Sequence, residues 1–327
     1  MSNYTITVEV LNLNFVFYGA LLLAQAGCSF KQFAMKKCGK LAPGAFNSVC
    51  INLARSLICL AVSMIIWLCT GGGTTTALGH VIIILSAIGT AFNLFTWILS
   101  SQLVSLTLIE SVSMIGSMVI PLILAPYLYN GDTVSLTQWL GCILVFVSVW
   151  FFMDKKTTHE KQEKKSGSLL QKIVIVGTCA ISITLASVLK KYYTYHITAN
   201  NLGSIEYFTF VSFLTVLAVF LVLFAVYYAQ EAKRSVAVST PEQRPRVEFP
   251  YRRVWVYILI AGGALYVNEL FTSYATQLPS AIYYPLSKGL NVGCTFLLDV
   301  IVFKDKITTK KVIGFVTIIA AIILINL

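Results

Sequence analysis

Charge is scarce in this chain. Only 11% of its 327 residues are charged and only 13 are acidic, whereas a soluble globular domain carries about a quarter charged residues. A soluble domain is therefore excluded. Histidine is also sparse: His80, His159 and His196 are scattered, and without an H-E-x-x-H pattern no zinc hydrolase is expected. There is no P-loop and no G-x-S-x-G, so neither nucleotide hydrolysis nor a serine-nucleophile reaction is indicated, and no enzyme activity or cofactor is expected. The eight cysteines lack C-x-x-C spacing and fall mostly in apolar runs, which reads as small core residues and as neither a disulfide framework nor a metal site. The opening residues MSNYTITVEV lack the basic n-region of a signal peptide, so the first apolar segment is expected to stay as a span.

Apolar residues are what the chain has in plenty. They make up 57% of it, and the mean hydropathy is +0.80. This composition belongs to an integral membrane protein. The 24 basic side chains give a net charge of +11. In a membrane protein such residues gather in cytoplasmic loops and set topology, and no basic, aromatic-interleaved motif reads as a nucleic-acid surface. The expected partners are the lipid bilayer and a small-molecule substrate, with protons or a counter-substrate for coupling.

A helix crosses the hydrocarbon with about 20 apolar residues. That length divides the chain into ten segments, at approximately 11–31, 44–69, 77–100, 102–127, 134–153, 168–189, 203–229, 254–276, 279–303 and 309–326. Turn chemistry marks the breaks, as at Gly71-Gly72-Gly73 and Asn130-Gly131-Asp132. Two solvated stretches lie between spans: a charged linker at 154–167 and a loop at 230–253. The expected fold is all-α, with five helices in 1–153 and five in 168–327.

The two halves repeat. Asp132 and Gly141 recur as Asp305 and Gly314, each displaced by 173 residues, and the same displacement carries Gly116 to Gly289 and Leu124 to Leu297. Slightly upstream, Leu94-Phe95-Thr96 matches Leu270-Phe271-Thr272 at a displacement of 176. Because five is odd, the second copy enters the membrane in the opposite sense. Inverted repeats of this kind place a substrate site near the midplane, between halves that rock about it.

Each half ends on the same signature: small and polar residues opening the fourth or ninth span, Pro121 or Pro285 within it, a short acidic turn, and a helix with an early glycine. In these features the chain resembles the drug/metabolite transporter superfamily, in its ten-helix form with two EamA-like repeats. It departs in carrying Asp132 and Asp305 where that turn more often has glutamate. The resemblance implies a membrane carrier of small organic solutes, a group that includes amino-acid exporters, drug exporters, and sugar-phosphate and nucleotide-sugar exchangers. It also implies termini inside the cytoplasm. The loop charges argue the reverse: nearly all follow odd-numbered spans, from Lys31, Lys36, Lys37 and Lys40 onward, and only Lys190 and Lys191 lie on the other side. The expected location is a bacterial plasma membrane, with an organelle membrane as the alternative.

Setting loop charges aside leaves Arg55, Glu110, Glu269, Lys288 and Asp299 inside spans, with Lys172 and Glu206 near span ends and expected to snorkel. A basic residue at a span centre costs about 2.5–3.5 kcal/mol, so such groups normally face a bundle interior and serve function. Lys288 follows Pro285, which loosens its helix, and Tyr283, Tyr284 and Asn291 surround it. The i, i+4, i+7 spacing sets Tyr284, Lys288 and Asn291 on one face. Its other reading is a salt bridge with Glu110 or Glu269. In the first half Ile115 occupies the position of Lys288, and Ser111, Met114 and Met118 those of Tyr284, Ser287 and Asn291. Asn93, Trp97, Asn268 and Glu269 complete the expected lining, and Arg55 is either a substrate contact or a partner for an acid. The expected function is secondary transport of a small polar metabolite, anionic or zwitterionic, with Lys288 as anchor. The alternative is a proton-coupled exporter of organic cations or drugs, in which Glu110 or Glu269 binds proton and drug in turn.

Overall fold

Lipid offers no hydrogen-bond partners, so each apolar segment must satisfy its own backbone, and the helix does so within one segment. The computed structural model describes residues 2–103, 113, 115–129, 133–152, 169–237, 251–303 and 308–326, and every element among them is helical. Glu110, Asp132, Asp305 and the linker 154–167 lie outside these residues.

The helices, in chain order, are α1 (Ser2–Leu41), α2 (Ala45–Cys69), α3 (Ala77–Leu103), α4 (Ile120–Leu128, entered through a π-turn at Ile115–Val119), α5 (Leu136–Phe152), α6 (Leu169–Tyr193, continued by a π-turn at Thr194–Thr198), α7 (Ile205–Ala237), α8 (Tyr251–Ala275), α9 (Ser280–Phe303) and α10 (Thr309–Ile325). Among the described residues, five segments are long and apolar enough to cross a membrane on their own: Ala45–Cys69, Ala77–Trp97, Ile173–Thr198, Ile205–Gln230 and Tyr251–Ala275. The π-turn before α4 has a local cause. Pro121 has no N–H to offer the carbonyl of Ser117, and the wider turn takes up the interrupted register.

The helices turn apolar side chains outward and polar ones inward. Leu136, Trp150, Ile181 and Ile301 are each more than 70% exposed, while Gln25, Ser29, Asn52, Arg55, Ser86, Lys190, Lys191 and Asn268 are buried. Water would reverse that arrangement; a hydrocarbon solvent favours it. The chain is an all-α membrane protein.

Packing follows a regular exchange. The most extensive interfaces are α1 on α8, α3 on α6, α5 on α10 and α2 on α7, followed by α2 on α8, α3 on α7 and α1 on α9. Replacing each helix by the one five places along the chain turns α1–α8 into α6–α3 and α2–α8 into α7–α3, and leaves α2–α7 and α5–α10 unchanged. The two largest interfaces are close approaches of the same kind. A Cβ on Gly27 would lie 3.0 Å from the Ala264 carbonyl oxygen on α8, and one on Gly89 would lie 3.0 Å from that of Ser182 on α6. Any larger residue would push these backbones apart. Four apolar clusters fill the remaining space among the described residues. Of the two largest, one joins Leu21, Met118, Leu122, Val145, Tyr284 and Ala321, and the other joins Val49, Ala91, Phe213, Phe220 and Leu265.

Candidate functional site

The helices run further than the apolar windows indicate, and this changes the inventory of interior charges. α1 continues to Leu41, so Lys31 belongs to a helix and not to a loop. α6 continues through Tyr193 into its π-turn, so Lys190 and Lys191, assigned from sequence to the loop opposite the basic face, are buried within the bundle at 7% and 1% exposure. The signal was present in the aromatic run Tyr192, Tyr193 and Tyr195, which extends the helix past the two lysines.

Lys190 meets Glu269. Its Nζ donates to Oε2 in a partly buried ion pair that joins α6 to α8. The partner of Glu269 is thus a residue expected in a loop. Lys31 and Arg55 also lie within electrostatic reach of the same carboxylate. The pair borders a narrow cleft between α3, α6, α7 and α8 with only about 10 Å³ of water-accessible space. Ser86, Thr90, Thr209, Ser212 and Ser273 bring hydroxyls to its wall, and Phe208 and Phe213 bring rings. The Ser212 hydroxyl is buried without a hydrogen-bond partner.

Asn268, beside Glu269, connects α8 to α1. Its Nδ2 donates to the Ala24 carbonyl at 2.9 Å, and its Oδ1 accepts from Lys31 Nζ at 3.2 Å. The next contacts along α1 reach α9. Gln25 Nε2 donates to Ser287 Oγ at 2.9 Å, and the hydroxyls of Ser29 and Thr295 are 3.0 Å apart. These bonds cross from the first half of the chain to the second. Gln25, Ser29 and Lys31 escaped the sequence reading because nothing in a run of mixed polarity marks which side of α1 faces inward.

The other expected residues are distributed around this centre. Tyr284 packs in an apolar cluster with Leu21 and Met118, its ring 4.9 Å from that of Tyr283 in an edge-to-face contact. Lys288 is partly buried on α9, and Asn291 is buried with its Oδ1 lacking a hydrogen-bond partner. Asn93 on α3 donates to Cys179 Sγ on α6 at 3.6 Å. Trp97 packs among Met35, Ile51 and Ile258. Glu206, expected to snorkel, instead accepts a hydrogen bond from the Tyr274 hydroxyl.

Arg55 lies eleven residues into α2, about 15 Å along the helix from its start at 1.5 Å per residue. It is 2% exposed and its Nε has no hydrogen-bond partner. Asn52, one turn earlier on the same helix, is 0% exposed, and neither atom of its amide is hydrogen-bonded. Asn52 was not singled out from sequence.

No family model and no curated protein matches the chain. Among solved structures, one described only as a crystal structure of a protein superposes on it with a TM-score of 0.67, covering 96% of this chain and 97% of that one at 14% sequence identity. At that identity the likeness extends to the fold: this chain shares its whole architecture with a protein whose description names no activity.

Proposed function

We propose that this protein is a secondary transporter that moves a small polar metabolite, anionic or zwitterionic, by alternating access between two inverted five-helix repeats, 1–153 and 168–327. The observation that carries this reading is the polar centre where the halves meet. Lys31 of the first half bonds Asn268 of the second, next to a Glu269–Lys190 pair that also feels Arg55. Intramembrane ionisable groups held between helices mark a transported species' path far more often than they serve stability. The exchange relation among the helix interfaces supports the inverted repeat, since it is the pattern that two equivalent halves related by a two-fold axis generate.

The sign of the interior charge favours an anion. Among the described residues, Lys31, Arg55, Lys190, Lys191 and Lys288 stand against Glu206, Glu269 and Asp299, and Glu110 lies outside the described residues. From sequence, Arg55 and Lys288 stood against Glu110, Glu269 and Asp299; placing Lys31, Lys190 and Lys191 within helices adds three cations to that count. A cation exporter would need the opposite excess. Lys288 is retained in this reading as a substrate contact on the second half.

Uptake by vesicles reconstituted with the purified protein tests the proposal, using labelled inorganic phosphate, succinate, glutamate and choline, with and without unlabelled solute preloaded inside. Saturable uptake of one or more of the anions or of zwitterionic glutamate is expected, reduced at least about tenfold in Lys31→Gln and Lys288→Ala. Saturable choline uptake with none of the others would overturn the charge assignment, and wild-type rates in both variants would remove these lysines from the site.

A further inference from the structure

Arg55 presents an imbalance that the rest of the bundle resolves elsewhere. A guanidinium carries five N–H donors in a fixed fork and stays charged. Burying it without a partner costs several kcal/mol, which is why buried charges are normally paired. Lys190 has Glu269, Lys31 has Asn268, and Lys191 has two carbonyls. Arg55 is 2% exposed and its Nε has no hydrogen-bond partner. Asn52 repeats the anomaly at i−3, on the same face of α2, with an amide that is fully buried and unbonded at both atoms. Two adjacent polar side chains, both buried and both with unbonded polar atoms, are a preformed set of donors for something that accepts.

We infer that Asn52 and Arg55 form an anion-anchoring subsite on α2, which binds a carboxylate or phosphate group of the transported solute. The inference rests on the carrier reading above and deepens it by naming where the negative end of the cargo sits. The guanidinium offers parallel N–H groups that match the two oxygens of a carboxylate or phosphate, and the Asn52 amide adds a further donor. The charges nearby set the valence. Glu269 neutralises Lys190, leaving Arg55 and Lys31 as the positive groups around that carboxylate, so a group carrying up to two negative charges is accommodated. A lipid headgroup offers the same chemistry. Arg55 lies in the bundle interior, flanked on α2 by Ile51 and Cys59, which pack against α8, so the free solute is the proposed ligand.

Thermal unfolding of the full chain in detergent, alongside vesicle uptake, tests the subsite. Inorganic phosphate or succinate is expected to raise the melting temperature of the wild type and of the exposed-site variant Lys310→Gln, and to leave Arg55→Gln unmoved. Asn52→Asp, which supplies an internal anion beside Arg55, is expected to melt higher than the wild type without added ligand, to lose the response to phosphate, and to lose uptake. Should Arg55→Gln fail to purify as a single species, Arg55→Lys replaces it, with an expected half-saturating concentration raised about tenfold. If phosphate and succinate stabilise Arg55→Gln as much as the wild type while uptake persists, the subsite is wrong and the carrier reading stands. If the wild type takes up no anion yet loses its phosphate stabilisation in Arg55→Gln, the anion site stands and the transport reading falls. Stabilisation by added phosphatidylglycerol, and by neither soluble anion, would assign the site to lipid and overturn the inference.

Discussion

Lys191 and Arg55 are both cations buried in the bundle, and the structure treats them in opposite ways. Lys191 donates to the carbonyl oxygens of Thr276 at 3.1 Å and Leu278 at 2.5 Å, in the turn between α8 and α9. Its ammonium also lies over the rings of Tyr129, at 5.4 Å, and Tyr283, at 5.7 Å. The carbonyls at the end of α8 have lost their intrahelical donors, and a cation there replaces them while complementing the negative end of the helix dipole. Lys191 thus resembles a cap. Arg55, similarly buried, meets none of these conditions. Burial of a charge does not by itself mark a site; a buried charge with an unbonded donor does.

The largest expected effect tests the first half of that contrast. Lys191→Met removes the cation, orphans two carbonyls and breaks the tie between α6 and the α8–α9 turn. A loss of about 3–5 kcal/mol is expected, as for removal of one partner from a buried charged network, measured by reversible unfolding in mixed micelles. A variant as stable as the wild type would show that Lys191, too, is held for function. The next effect has the opposite sign. Arg55→Met removes a desolvated guanidinium whose only counter-charge among the described residues, Glu269, is already paired with Lys190, and fills the space with a flexible apolar chain, so the protein is expected to gain about 1–3 kcal/mol while uptake is lost. A destabilised variant would mean that Arg55 is structural, and the contrast with Lys191 would disappear.

The same two residues show how far sequence reading reached. The helical class and the positions of the helices followed from apolar run length and turn residues, because the bilayer imposes both. Arg55 and Glu269 were also visible, since a charge inside an apolar window stands out in one dimension. Lys190 and Lys191 were not. Window hydropathy falls wherever two lysines adjoin tyrosines, so α6 seemed to end at 189, when it continues to Tyr193 and then into the π-turn. Asn52 was illegible for another reason: an uncharged amide in a membrane helix is common, and only the absence of a hydrogen-bond partner distinguishes it. Tyr284 failed to stand apart in the converse sense. Its spacing with Lys288 and Asn291 sets it on a polar face, yet the neighbours brought by α1 and α4 make its surroundings apolar.

Lys190 and Glu269 stand between the two extremes, and the smallest expected effect belongs to them. Each satisfies the other, so neither is orphaned like Arg55, but both border the cleft and neither is locked by backbone carbonyls like Lys191. A pair of that kind can be opened by a ligand. A double-mutant cycle with Lys190→Gln and Glu269→Gln isolates the coupling, expected at about 1–2 kcal/mol in stability. Removing the carboxylate alone leaves Lys31, Arg55 and Lys190 without their shared counter-charge, so Glu269→Gln is expected to be the more damaging single substitution to stability and to bind phosphate more tightly. Glu269 competes with the anion for the same cations, and its loss removes the competitor while keeping the donors. If Glu269→Gln binds phosphate more weakly than the wild type, the carboxylate belongs to the ligand-binding set and not to the resting counter-charge, and Lys190 joins Lys191 as a structural cation.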